Sequence, residues 1–435
     1  MEQHTELKSE TERQGKFDKL KKSKQTKRLN TKIKVTEILA APDYLYLSPS
    51  ELMRHFTNLA TNEHFDHWKY YENYTKIMGY ANRSLFETCL AYLKQKHENF
   101  VIVTTPLHHT SWRNAIEKYV KPENIHIIDL NDNFNGFEKF PDIDKCDAII
   151  ITHLFGQDMD MTGLAEFKNK TGAIVIEDRV QGGSLDHKFS SDLIDISTYS
   201  MAMDKKPIAL GGAFLYIRNE FKDLIAFIIE SVENYPLEST RKRFIELLKK
   251  IPTFILYNRR VLMYLFLRIL RMLKLNLLDF TNMYRTKNPG FSHNDYMLKP
   301  SSGLMKSMSQ HYHDHKNMEN LFEEKHMLFR SYLSNEVIRS YFPWFRDASL
   351  TPYNTIYVDQ KYMNKFLKFM NRSVICIIWN PTYKMFNFPY EGDAKYLKFN
   401  SGIVYLPSLA LMTREEIQYL ADRIERFHTI ISKGK

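Results

Sequence analysis

The chain has 435 residues, 43% hydrophobic and 14% aromatic, enough apolar material for one large domain and a smaller one. A net charge of +10 favours acidic partners, among which nucleic acid and membrane surfaces are candidates. The three cysteines lack paired or metal-type spacing, and no run approaches the roughly 20 apolar residues of a membrane span, which argues against a disulfide scaffold and a bilayer-crossing helix.

Residues 1–40 read as a disordered basic tail. KFDKLKKSKQTKRLNTKIK has almost no apolar periodicity, so solvation fits it better than a nucleic-acid arm. The first residues read without an apolar signal core, and with the unpaired cysteines this predicts a cytoplasmic protein. Residues 41–220 read as a large domain. Its start, Pro42 to Tyr80, is rich in aromatics and predicts one or two helices. Asn82 to Gln95 follows, with apolar positions 85, 86, 89, 90 and 93 on one helical stripe. A polar turn opening a helix is an anion site, because free amides point outward there. NFVIVTTPLHHTSWRNAI then reads as strand, turn and helix, and His126 to Leu130 as a short strand.

The stretch from Ala148 to Ile217 organises the chain. AIIITHLFG and AIVIED are apolar runs ending in polar residues, and DISTYSMAMDKK and ALGGAFLYI are further extended runs. Such runs, with a helical pattern between the first two, are buried strands of an α/β sheet. Ligands of these sheets sit beyond the strands' carboxyl ends. Asp178 lies at one such end and Lys205 just past another. A buried acid facing a lysine suits pyridoxal phosphate: the amine holds the aldehyde, and the acid keeps the ring nitrogen protonated.

Beyond residue 220 the character changes. Residues 221–290 read as an apolar and basic helical insertion, and within Arg259 to Leu278 the residues Arg260, Arg268, Arg271 and Lys274 fall on one helical stripe. A helix buried in a dimer or between domains, its basic stripe solvated, is the favoured reading; peripheral contact with an anionic membrane is the other. His311 and His315 are placed one turn apart on one helix, and a solvated helix is preferred to a metal site because no acid or cysteine completes a ligand set. Residues 291–430 are assigned to a small C-terminal domain. Its final helix opens on a capping box, Thr413 with Glu416.

HLFGQDMDMTGL, IVIEDRVQGGSL and STYSMAMDKKPIALGG together resemble the signature blocks of the DegT-type (DegT/DnrJ/StrS) sugar aminotransferases. In that family the pattern runs His-Leu-Tyr-Gly, Glu-Asp-Ala-Ala-Gln, then Ser-Phe-x-x-x-Lys and a glycine pair. Here it is carried by His153 and Gly156, Asp178 and Gln181, Ser200 and Lys205, and Gly211 and Gly212. The resemblance covers about residues 45–428 outside the middle insertion. It implies an α/β fold of the aspartate aminotransferase type, with a mainly parallel sheet in the large domain and a small α+β domain. It also implies pyridoxal 5'-phosphate as cofactor, an amino-acid donor such as glutamate, a nucleotide-linked ketosugar acceptor and a homodimer.

By the same resemblance Lys205, five residues after Ser200, is the catalytic lysine in preference to Lys206. Asp178 pairs with the ring nitrogen, and Gln181 positions the ring oxygen or Asp178. Ser200, Arg83 and Ser84 reach the phosphate, with Asn82 where the family has glycine. His109 supplies the stacking ring, with His108 and Trp112 as rivals. Two other functions are carried: a sugar dehydratase on this fold, in whose relatives histidine replaces the lysine, and a scaffold that has lost turnover.

Overall fold

The computed structural model describes residues 48–433, apart from 62, 157, 203–204, 206–208, 260–261, 263–264, 267, 270–271, 274–294, 343–353, 374, 376, 380–382 and 386–393. The first element is a helix, α1 (Pro49–Asn58), opened by a capping box between Ser48 and Glu51. A hairpin follows it, β1 (Trp68–Tyr70) and β2 (Tyr74–Gly79), so helix is not the rule up to Tyr80 as the aromatic content suggested. Alternate residues of β2 are buried, the period-2 pattern of a strand with two unlike faces.

Next come α2 (Asn82–Lys96), β3 (Ile102–Thr104), β4 (Leu107–His109), α3 (Thr110–Tyr119), β5 (Ile125–Ile127), β6 (Asp129–Leu130) and β7 (Phe137–Lys139). The organising stretch forms β8 (Ala148–Thr152), α4 (Leu164–Thr171), β9 (Ile174–Asp178), β10 (Ile196–Ser200) and β11 (Ala213–Arg218). Eight strands make one sheet in the order β1-β2-β11-β10-β9-β8-β3-β5. Its centre, β10-β9-β8-β3-β5, is parallel, whereas β11, β2 and β1 pair antiparallel. Every residue of β8 is buried, as a parallel strand covered on both faces requires.

Helices α2 and α3, with α5 (Lys222–Asn234), cover one face, where Phe86, Trp112 and Ile225 join the apolar cluster on the sheet. Residues 222–234, grouped above with the insertion, thus complete the core of the large sheet. Each fully buried side chain such as Phe86 contributes roughly 1.5–3 kcal/mol of burial. On the other face Leu304, Met305 and Met308 of α7 (Ser302–His313) pack against Phe214 and Tyr216 of β11. Between α5 and α7 lies α6 (Thr240–Asn258), and the described residues from 262 to 272 are helical again.

After α7 the chain breaks at Asp314 and restarts as α8 (His315–Ser331). His311 and His315 therefore lie on different helices. Nor is His311 solvated as expected: it is buried, its ring stacked on that of His55 at 4.8 Å. The remaining elements are α9 (Asn335–Tyr341), β12 (Asn354–Tyr357), α10 (Gln360–Arg372), β13 (Ile378–Trp379), β14 (Tyr383–Met385), α11 (Ala394–Gly402), β15 (Ile403–Leu406) and α12 (Arg414–Ser432). β12, β15 and β13 form an antiparallel sheet, cored by Phe366, Leu406, Ile424 and their neighbours. The Thr413–Glu416 capping box opens α12 as its spacing predicts. This smaller unit is joined to the large one by Tyr396 and Phe399, which pack with Leu154 and Phe155, and by β14, which pairs with β4.

Candidate functional site at the strand ends

Sheet polarity brings the candidate residues to one edge. β8, β9 and β10 run parallel and in register, with Thr152 opposite Asp178 and Asp178 opposite Thr198. β11 returns antiparallel, so its first residue Ala213 sits between Ser200 and Gly79. The chain leaves Gly79 straight into α2, whose amino end therefore opens at the same edge as Asp178, Ser200 and Lys205.

Asp178 is buried at the end of β9, and its Oδ1 accepts the Val180 N–H at 3.0 Å. Burial pushes its carboxyl up to about 6, against the opposing pull of the Val180 N–H and of the Lys205 charge. The Lys205 field thus reaches Asp178. Lys205 is half-buried in the connection from β10 to β11, its N–H bonded to Ala202 O at 3.2 Å, while Lys206 lies outside the described residues. The connection closes through Leu210, Gly211 and Gly212, all at positive φ. A Cβ on Gly212 would stand 2.3 Å from the Met308 sulfur, so only glycine fits there. Leu210 at φ 56° and Phe155 at φ 57° hold strained conformations in the two loops flanking the crevice, of order 1–3 kcal/mol each.

Gln181 ties the loop after β9 to the Phe155 loop after β8. Its carbonyl accepts the Gly156 N–H at 2.7 Å and its Oε1 the Phe155 N–H at 3.4 Å. Ser200 is half-buried at the end of β10, with Oγ accepting the Ala202 N–H at 3.4 Å. Behind Asp178, His153 Nε2 and Glu177 Oε2 are 2.9 Å apart with both side chains buried. His153 Nδ1 accepts the Met159 N–H at 2.9 Å, so the ring is the neutral Nε2–H tautomer and donates to Glu177. Burial pushes Glu177 up, but the His153 and Ser190 hydrogen bonds and the Arg179 charge outweigh it and hold the acid below its ordinary range.

At the amino end of α2 the N-cap is Ala81, which has no side chain to cap the helix, and no acid lies in the first turn. Ser84 turns back on Ala81, donating to its carbonyl at 2.7 Å. The Arg83 guanidinium lies 5.0 Å from the centre of the Tyr296 ring. Asn82 is only 8% exposed, yet both carboxamide atoms lack a hydrogen-bond partner. A buried amide without partners costs about 1–3 kcal/mol unless something else satisfies it. Together with uncapped amides and the helix dipole it makes a cradle for an anion. The residues present therefore fit a cofactor with a phosphate and a basic ring nitrogen.

The ring-supplying turn divides its two histidines. His109 is exposed and caps α3, its Nδ1 accepting the Ser111 N–H at 3.2 Å. His108 is buried over the strand ends, with Nδ1 2.6 Å from Thr152 Oγ1 and Nε2 2.9 Å from Thr104 Oγ1. Burial lowers His108 to about 3, so it is neutral. Trp112 stacks on Phe86 at 3.6 Å inside the core. Sequence reading did not single out Thr152, Arg179 or Arg243. Arg179 locks the loop after Asp178 by bonding Asp158 at 3.0 Å and Tyr199 at 2.6 Å. Arg243, from α6, donates to Ala209 O at 3.0 Å and Leu210 O at 2.9 Å, clamping the lysine connection. Neither arginine had a signal in its local pattern; both act through distant partners.

No protein-family model matches the chain, and no curated protein matches it in sequence. Solved structures do. Helicobacter pylori PseC, an aminotransferase involved in the biosynthesis of pseudoaminic acid, superposes with TM-score 0.57 at 12% identity, over 89% of this chain and 98% of that one. Spr1654 of Streptococcus pneumoniae, assigned as a sugar aminotransferase, gives 0.61 at 11% in its PMP form, over 89% and 99%. DesI, solved in the presence of its TDP-sugar product, gives 0.56 at 10%, over 92% and 96%. The chain has the fold of these aminotransferases, large sheet and small unit alike.

Proposed function

We propose that the protein is a pyridoxal-phosphate-dependent aminotransferase whose acceptor is a ketosugar. The observation that carries this reading is the convergence of Asp178, the Lys205 connection and the uncapped end of α2 on one edge of the sheet. When bound, pyridoxal phosphate supplies an aldehyde that captures amines and a ring that takes up electrons from a cleaved carbon–hydrogen bond. The remaining work falls to the chain.

Lys205 would hold the aldehyde and, once released, would carry the proton to and from the substrate carbon. Asp178 is ionised above about pH 6 and would meet a ring nitrogen as a carboxylate. The first-turn amides of α2, Asn82 and Ser200 would hold the phosphate, with Ser84 fixing the helix start and Arg83 flanking it. His108, neutral and buried, would offer a flat face to the ring in preference to the exposed His109. Gln181 keeps the loops after β8 and β9 together and so limits water.

Glutamate as donor and a nucleotide-linked sugar as acceptor extend this reading; the TDP-sugar held by DesI supports the second. A homodimer with an isologous interface belongs to the same proposal. Borohydride treatment tests its centre. The protein should be yellow, lose its absorbance band on reduction, and carry the cofactor mass on Lys205. An adduct on Lys206 overturns the register, and no adduct at all removes the enzyme reading.

A further inference from the structure

The surface built by α6 and the helical residues from 262 to 272 inverts the usual arrangement of a protein exterior. Leu265 is 50% exposed, Ile269 53% and Met272 82%. Phe244, Leu248 and Ile255 of α6 are exposed beside them. Between the two helical stretches runs an open groove of about 470 Å³, lined among the described residues by Ile251, Ile255, Leu256, Leu265, Phe266, Ile269 and no charged side chain. A contiguous apolar face of this kind marks a docking surface.

Charge identifies the occupant. Residues 240–274 contain ten Lys and Arg and a single acid, Glu246, a net +9 in a chain whose total is +10. A second copy docked through a two-fold axis would set +9 against +9, which disfavours self-association through this face. The chain's own residues 1–47 carry eleven basic and seven acidic side chains, so they too repel it. An anionic lipid surface answers both features: it takes apolar side chains between its headgroups and pairs exposed cations of these stretches such as Arg241, Arg259 and Arg268. No described helix is long and apolar enough to cross a membrane, so the face would lie in the plane of the interface.

We infer that this face is a peripheral anchor for an anionic bilayer. It is fixed to the strand-end site by Arg243 of α6, whose guanidinium holds the carbonyls of Ala209 and Leu210. Docking therefore keeps the lysine connection at a set distance from the headgroups.

Vesicle flotation of the full chain tests this independently of any catalytic reading. The wild type should float with phosphatidylcholine vesicles containing phosphatidylglycerol, stay down with phosphatidylcholine alone, and release in high salt. Leu265→Glu with Ile269→Glu should cut the partition at least about tenfold, while the near-ultraviolet circular dichroism is unchanged. Met272→Glu, at the most exposed apolar position of the face, should lower it in the same direction without risk to folding. Absence of flotation overturns the inference. So does flotation that survives these substitutions, which assigns it to the basic tail, or a change of oligomeric state in the variants, which assigns the face to a second copy.

Discussion

The strand-end crevice and the α6 face depart from the globular pattern in opposite senses. The crevice buries Asp178 and the unpartnered amide of Asn82 where water would have held them. The face leaves Leu265, Ile269 and Met272 in water, which rejects them. Each departure costs stability in the isolated chain, and on the two proposals above each would be offset by a different ligand chemistry: a charged small molecule in one, a lipid surface in the other. Both are held on rigid elements, and Arg243 joins them. The lesson is that a charged group inside and an apolar group outside are the same kind of signal, read against solvent rather than against a motif.

The comparison breaks most sharply at Asp178. Between pH 4 and pH 6 the folded chain keeps a proton that the unfolded chain has released, because burial raises this carboxyl to about 6. Stability therefore falls as pH rises through that window, by roughly 3 kcal/mol in all. Asp178→Asn removes the buried charge. The cofactor-free variant should melt several degrees higher than wild type at pH 8 and no higher at pH 4, followed by scanning calorimetry. Its turnover should drop on the order of a hundredfold or more, since a neutral amide cannot stabilise a protonated ring. Near wild-type turnover would make this acid structural.

A smaller effect separates ligand from scaffold at Asn82. Neither carboxamide atom has a partner in the chain, so Asn82→Ala should leave the cofactor-free melting temperature unchanged or slightly raised. Cofactor affinity, titrated by absorbance, should weaken about tenfold, the value of one hydrogen bond to a charged group. A lower melting temperature with unchanged affinity would place the amide in the fold alone.

Much of this architecture is legible in the sequence where the physics is local. The runs around Ile151 and Ile176 are apolar on both faces and end in polar residues, which fixes parallel strands and the edge where ligands sit. Thr413 and Glu416 announce their cap by spacing alone. The hairpin at 68–79 was hidden because its aromatics satisfy helix and strand patterns equally, and only pairing with β11 decides between them. His108 against His109 could not be separated, since the outcome depends on Thr152, far along the chain. Arg243 is the clearest case: one of two arginines in a basic helix, its role set by two carbonyls more than thirty residues earlier.

The seam between the two regions offers the subtlest test. His55 of α1 and His311 of α7 stack in parallel, 4.8 Å apart, with His55 Nδ1 3.1 Å from Ser307 Oγ. Burial first, then His311, Arg243 and Arg54, lower His55 to about 2. Burial and Arg54 lower His311 to about 4, with Glu51 and Asp314 opposing. Both rings are thus neutral when folded and take up protons only on unfolding. Their stabilisation is complete above pH 6.5 and is lost as pH falls toward 4, by roughly 1 kcal/mol per ring for each pH unit. His311→Phe keeps a flat ring against His55 but cannot titrate. Melting temperature measured from pH 7 to pH 5 should therefore fall less steeply in the variant, by about one ring's share. Parallel curves for variant and wild type would show that His311 does not contribute to acid sensitivity.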